Sequence, residues 1–372
     1  MTSRVYLDHN ATSPLRPEAR EAMLDALECA GNPSSIHAEG RAARKIVEDA
    51  RETIAGAFGV KAASVVFTSG GTEAANWLLQ PQDSGGLAFS AAEHACVLQG
   101  HGYAPERVTV LPVSQDGTLD LDALDKALAP GTALAVQAAN NETGVIQPLA
   151  DIAAAVNAKG AILICDAVQA IGRIPVSALL AADALFVSAH KFGGPKGVGA
   201  VILRNGFAPP AFIRGGGQER RLRSGTENVA GIAGMAAALK AAIANQASFA
   251  DEALALRKHF EHDLREISPS AVIFAEHSNR LPNTTCFAIP GTSAATMLMA
   301  LDLEGVAVSS GSACSSGKVE RSHVLAAMGL SPEFSSGAIR VSTGWNTKED
   351  EIGRLLAALE KICGRANARR AA

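Results

Sequence analysis

The chain lacks several features, and each absence narrows its function. No uninterrupted apolar run approaches the roughly 18 residues that a membrane span needs. The N-terminal MTSRVYLDHNAT has no basic region followed by an apolar stretch, so it does not read as a secretion signal. Neither charge sign dominates: 33 Lys and Arg against 37 Asp and Glu give a formal net charge of −4. Nucleic-acid binding needs a concentrated basic face, and the one cluster, Arg220, Arg221 and Arg223, is too short to track a polynucleotide. The six cysteines, at 29, 96, 165, 286, 314 and 363, form no CxxC pair and no disulfide framework. Internal repeats, heptads and low-complexity tracts are missing as well. The expectation is a soluble cytoplasmic enzyme that binds neither membrane nor nucleic acid.

What is present is a regular alternation. With 48% apolar and 19% charged residues over 372 positions, the chain can bury a large core. SVVFTS (64–69), GLAFSA (86–91), RVTVLPV (107–113), ALAVQAA (133–139), AILICD (161–166), ALFVSA (184–189) and GAVILR (199–204) read as strands. Most are continuous apolar runs, as strands covered on both faces are. Helical patterns lie between them at Arg41–Phe58, Leu121–Leu128 and Leu149–Ala158, the last bracketed by Pro148 and Gly160. This is an α/β chain with a mostly parallel sheet sandwiched by helices. After about Asn228 come two Ala-rich helices, Val229–Ile243 and Phe249–Ile267. Strands at 271–276, 283–289, 305–310 and 338–342 follow, with helices at Ala294–Glu304, His323–Met328 and Lys348–Cys363. That part reads as a smaller α+β domain.

Ligands in open α/β sheets bind beyond the carboxyl ends of strands. The first strand runs into TSGGTEAAN (68–76), where Gly71 and Thr72 open a helix and its free amides suit a phosphate. On its own this motif is more often an ordinary turn and N-cap. The fifth strand runs into Asp166 and Gln169, and the sixth into Ser188, His190 and Lys191. A strand-end acid commonly caps a turn, and a strand-end Lys is commonly solvated. Together, an anion cradle, a strand-end acid and a Lys 25 positions later describe a pyridoxal-phosphate site.

The ordered motifs carry a resemblance. YLDHNAT (6–12), GNPSSIH (31–37), TSGGTEAAN, AEHACV (92–97), NNETGVIQP (140–148), DAVQAIG (166–172), SAHKFGGPKGVG (188–199), GGGQERRLRSGTEN (215–228) and SSGSACSSG (309–317) resemble the NifS/IscS group of cysteine desulfurases. These are class V, fold-type I pyridoxal-phosphate enzymes, and the likeness spans about residues 5 to 360. It implies a large cofactor domain over 15–250 and a small domain from 1–14 and 251–372 that carries the cysteine loop.

The resemblance also implies roles. Lys191 holds pyridoxal 5′-phosphate covalently and moves protons; Asp166 faces the ring nitrogen, Gln169 the phenolic oxygen, and His94 the ring face. Gly71, Thr72, Ser188 and His190 bind the phosphate, with Thr226 supplied by the second subunit of a homodimer. Asn141 sits beside ring and substrate, and Arg340 grips the carboxylate of L-cysteine, although RVSTGWNT (340–347) departs from the family's usual run there. Cys314, set among Gly and Ser, takes the sulfur as a persulfide and passes it to an acceptor or iron–sulfur scaffold protein, where it also serves as a transient [2Fe–2S] ligand. Two other readings stand beside this one. A different class V enzyme, such as a selenocysteine lyase or an aminotransferase, needs no such Cys loop. A sulfur relay or cluster scaffold needs no Lys191, Asp166 and His94 set.

Overall fold

A computed structural model describes residues 4–81, 85–311 and 321–371, the last six by backbone alone. The chain starts with β1 (Val5–Tyr6), α1 (Pro17–Leu27) and α2 (Ala38–Phe58). Then follow β2 (Val65–Thr68), α3 (Gly71–Leu78), β3 (Leu87–Ser90), α4 (Ala95–Leu98), β4 (Val108–Leu111), α5 (Leu121–Ala127), β5 (Ala133–Gln137), α6 (Leu149–Ala158), β6 (Ile162–Asp166), β7 (Ala184–Ser188) and β8 (Gly199–Leu203). Strands β2 to β8 form one sheet in the order β2-β8-β7-β6-β5-β3-β4, parallel except that β8 runs against both of its neighbours. The expected α/β class is therefore found.

Continuous apolar runs hide a strict alternation. Leu134 and Val136 of β5 point into one core with Val47, Ile54, Ile152 and Leu239 from the helices on that face. Ala133 and Ala135 point into the opposite core with Trp77, Leu78 and Val97. The inner strands thus serve two layers, and that is why polar residues appear only at their ends, whereas the edge strand β4 leaves Thr109 and Val110 exposed.

The remaining elements are α7 (Val229–Ala244), α8 (Gln246–Ile267), β9 (Val272–Ile273), β10 (Thr284–Ala288), α9 (Ala294–Leu303), β11 (Val306–Ala307), β12 (Ser309–Ser310), α10 (His323–Ala327), α11 (Pro332–Gly337), β13 (Ile339–Ser342) and α12 (Glu349–Ala371). They build a four-stranded antiparallel sheet in the order β12-β13-β10-β9, and a separate parallel pair of β1 with β11. Val5 and Leu7 share a core with Phe260, Phe287, Leu301, Ile339 and Leu355. No single described helix is long and apolar enough to cross a membrane; α7 and α8 meet that test only as a pair bent by 69°.

Several elements differ from expectation. Helix α1 was not foreseen because it packs through small groups: Ala19 and Met23 lie against Gly234 of α7, where a Cβ would come within 2.5 Å of Met23 Cγ. The expected strand at 271–276 stops at Ile273, because Ala275 takes a left-handed φ of +52° that no pleated strand accommodates. The expected strand at 305–310 divides in two, Val306–Ala307 pairing with β1 and Ser309–Ser310 with β13.

One buried ion pair holds a strained turn. Glu219, Arg220 and Arg221 have φ of +44°, +56° and +69°, a conformation that costs about 1–3 kcal/mol per residue. Arg51 of α2 grips Glu219 with Nη1 and Nη2 at 2.8 and 2.7 Å, and the same carboxylate accepts the Phe67 N–H at 2.9 Å. Both partners are buried, so losing one strands a charge in the core. Glu219→Ala is expected to lower unfolding free energy by about 3–5 kcal/mol. Urea unfolding checks this, and a loss below about 1 kcal/mol contradicts it.

Candidate active site

A cavity of about 320 Å3 opens where the parallel strands end. Its first wall is the turn from β2 into α3. Gly70 has φ +154° and ψ −177°, a region open in practice only to glycine. Gly71 then starts the helix, and a Cβ there would come within 3.0 Å of Val168 Cγ2. Glu73, in the first turn, accepts the Ser69 N–H at 3.1 Å and the Arg223 Nε–H at 2.8 Å, which fixes this turn to the segment after β8. The open amides of Gly71 and Thr72 are the helix's positive end. Ser188, the last residue of β7, and His190 line the cavity beside them. His190 Nδ1 lies 3.1 Å from Thr12 Oγ1, and burial, with Lys191 and Lys196, lowers its pKa to about 4.

A buried acid also lines the cavity. Asp166 ends β6 and accepts the Val168 N–H at 2.9 Å. Burial raises its pKa to about 6, against the opposing effects of that N–H and the Lys191 ammonium. His94 caps α4 by accepting the Cys96 N–H at 3.1 Å, and burial, followed by Lys191 and His323, lowers its pKa to about 4. It is therefore a neutral ring at pH 7. Burial likewise pushes the Cys96 thiol up, so this cavity-lining thiol is protonated.

Lys191 follows β7 and reaches across the cavity. Its Nζ donates to the backbone oxygens of Asn10 at 2.7 Å and Ala11 at 3.0 Å. Burial, then the positive charges of Arg340 and Arg173, lowers its pKa to about 8, partly offset by Asp166 and Asp8. A sizeable fraction of this amine is neutral near pH 8. Gln169 donates through Nε2 to the Asn10 oxygen at 2.9 Å. Arg340, from β13, gives Nη2 to Asp8 at 2.7 Å and Nη1 to the Asn141 oxygen at 3.1 Å, and its buried Nε has no partner among the described residues.

Ten of the residues expected at the site therefore line this one cavity: Gly71, Thr72, His94, Asn141, Asp166, Gln169, Ser188, His190, Lys191 and Arg340. Thr226 does not; it is exposed on the segment beyond the strained turn. Cys314 lies outside the described residues. Gly311, just before it in the chain, does line the cavity, and a Cβ there would come within 2.7 Å of Glu142 Oε2. The same Oε2 accepts the Ser322 hydroxyl at 2.5 Å. Burial raises the Glu142 pKa to about 7, with Ser322 and Arg340 opposing. Sequence reasoning gave no role to Asn10 and Ala11, which act through backbone oxygens. Asp8, Glu142 and Arg173 were also passed over. No group of three or more His, Cys, Asp or Glu among the described residues could hold a metal ion.

The aminotransferase class-V family profile matches residues 5–355. The chain belongs to that family. Among class-V relatives, the cysteine desulfurase IscS of Dictyoglomus turgidum is 41% identical over 379 residues, covering 97% of this chain and 95% of its own. The cysteine desulfurase of Cereibacter sphaeroides is 42% identical over 372 residues, with 96% and 95% covered. The solved NifS-like protein from Rickettsia africae superposes with a TM-score of 0.89 at 35% identity, covering 96% of this chain and 99% of that one. The resemblance to the NifS/IscS group agrees with these matches, as does the fold-type I architecture.

The Asp166 shift makes a pH prediction for the cofactor-free protein. Its folded pKa of about 6 exceeds the ordinary 3.8, so the folded state holds the proton more tightly and loses stability as pH rises between those values. Above pH 6 the full cost of the buried carboxylate remains. Asp166→Asn should therefore be more stable than wild type at pH 8, by up to about 3 kcal/mol, and the gain should vanish below pH 4. Thermal unfolding across that range checks the sign.

Proposed function

We propose that the cavity holds pyridoxal 5′-phosphate and that the protein is a cysteine desulfurase, converting L-cysteine to L-alanine and leaving a persulfide on Cys314. The observation that carries this is the pairing, within one cavity, of a desolvated amine with a buried strand-end carboxylate and an open helix N-terminus. The residues fit the group. Asp166 is a buried acid whose raised pKa calls for a cationic partner, which a protonated ring nitrogen supplies. The glycine turn leaves free amides for a phosphate, and among the described residues the Lys191 amine bonds to backbone oxygens alone. When bound, the cofactor withdraws electrons from the substrate α-carbon.

The rest falls to the chain's own groups. Gly71, Thr72, Ser188 and His190 hold the phosphate; neutral His94 covers the ring face; Gln169 donates to the phenolic oxygen. Lys191, with a pKa near 8, both anchors the cofactor and carries protons. Asn141 and Arg340 orient the substrate carboxylate. Cys314 attacks the substrate sulfur: the C–S bond breaks, an S–S bond forms, and the carbon takes the proton, so no external oxidant is needed. Relatives named cysteine desulfurase at about 40% identity over nearly the whole chain support this activity.

The same reading makes the working unit a homodimer, since Thr226 is exposed and away from its own cavity and suits the phosphate cup of a partner subunit. It sends the sulfur to an acceptor or iron–sulfur scaffold protein, with Cys314 as a transient [2Fe–2S] ligand, as the IscS name of a relative suggests. It also places the protein in the cytoplasm, in keeping with five free thiols among the described residues.

Two variants test the halves of the reaction. Lys191→Ala should lose the visible colour of bound cofactor and all alanine formation from L-cysteine. Cys314→Ser should keep the colour and shift its spectrum on adding L-cysteine, yet form alanine slower by several orders of magnitude and no protein persulfide. Near-normal persulfide in that variant moves the nucleophile to another thiol, with Cys96 the first to examine.

A further inference from the structure

Arg173 is 5% exposed, and no carboxylate among the described residues pairs with it. Buried cations are costly unless compensated, so one without a counter-ion calls for an explanation. Its contacts are all oxygens around the cavity floor. Nη1 donates to the Gln169 side-chain oxygen Oε1 and, at 3.3 Å, to the Gln169 backbone oxygen. Nη2 donates to the backbone oxygens of His9 and Lys191, both at 3.4 Å.

A guanidinium carries donors and no acceptor. It can face only the oxygen end of the Gln169 carboxamide, which turns the NH2 end the other way. One of those hydrogens goes to the Asn10 oxygen at 2.9 Å, and Gln169 also lines the cavity. With Arg173 removed, the Asn10 oxygen would be left to hold the carboxamide, and its second hydrogen would be free to turn away from the cavity.

We propose that Arg173 is a positioning residue that fixes Gln169 as a hydrogen-bond donor into the cavity. The proposal rests on the reading of the cavity as a pyridoxal-phosphate site.

The test uses full-length protein. The affinity for pyridoxal 5′-phosphate, read by absorbance titration, should fall about tenfold in Arg173→Met and change less than about twofold when the same substitution is made in Gln169→Ala. Should the Met variant fail to fold, Arg173→Gln carries the same expectations. An equal affinity loss in both backgrounds overturns the action through Gln169. Wild-type protein that takes up no pyridoxal phosphate overturns the cofactor reading instead.

Discussion

Asn10 is where the two halves of the molecule meet. Its backbone N–H goes to Ser342 Oγ and its amide nitrogen to Thr284 Oγ1, both in the four-stranded sheet. Its backbone oxygen accepts from Lys191 Nζ and Gln169 Nε2, both beyond strands of the large sheet. One residue thus joins the second sheet to the edge where the first presents its polar groups, and buried polar atoms tolerate little slack. The cavity keeps its shape because the chain's opening segment is sewn between the sheets. Two residues earlier, Asp8 holds Arg340 of the four-stranded sheet.

The cavity's electrostatics follow from that packing. Lys191, Arg340 and Arg173 bring three basic groups close together, against Asp166 and Asp8, while the nearby His94 and His190 are neutralised by burial. Three basic groups against two carboxylates leave a positive surplus, to which the open amides of α3 add, so the cavity favours an anion. Asp166 favours a cation beside it. A ligand that is anionic at one end and protonated at the other satisfies both.

Much of this was legible from residue type. Continuous β-branched runs gave away a sheet covered on both faces, and α6 spans Leu149–Ala158 as its Pro148 and Gly160 brackets suggest. Glycines, hydroxyls and strand-end charges marked the cavity because their chemistry is written in the side chain. What stayed hidden works through geometry that residue type does not encode. The oxygens that hold Lys191 belong to the backbone of Asn10 and Ala11, and any residue supplies one. Helix α1 packs through Ala19 and Met23 against a glycine, which leaves a weak apolar stripe. Arg173 follows directly on DAVQAIG, and nothing in its identity said that it would be buried without a counter-ion. Ala275 looks like a strand residue until its φ is known.

Glu142 has a consequence for acidity. Gly311 packs against its carboxyl and Ser322 bonds to it, so two points eleven positions apart in the chain share one anchor beside the cavity. Burial brings that carboxyl's pKa to about 7, so near neutral pH one proton decides whether the Ser322 hydroxyl meets a carboxylate or a carboxylic acid. Two stretches of backbone beside the cavity thus answer to the same proton.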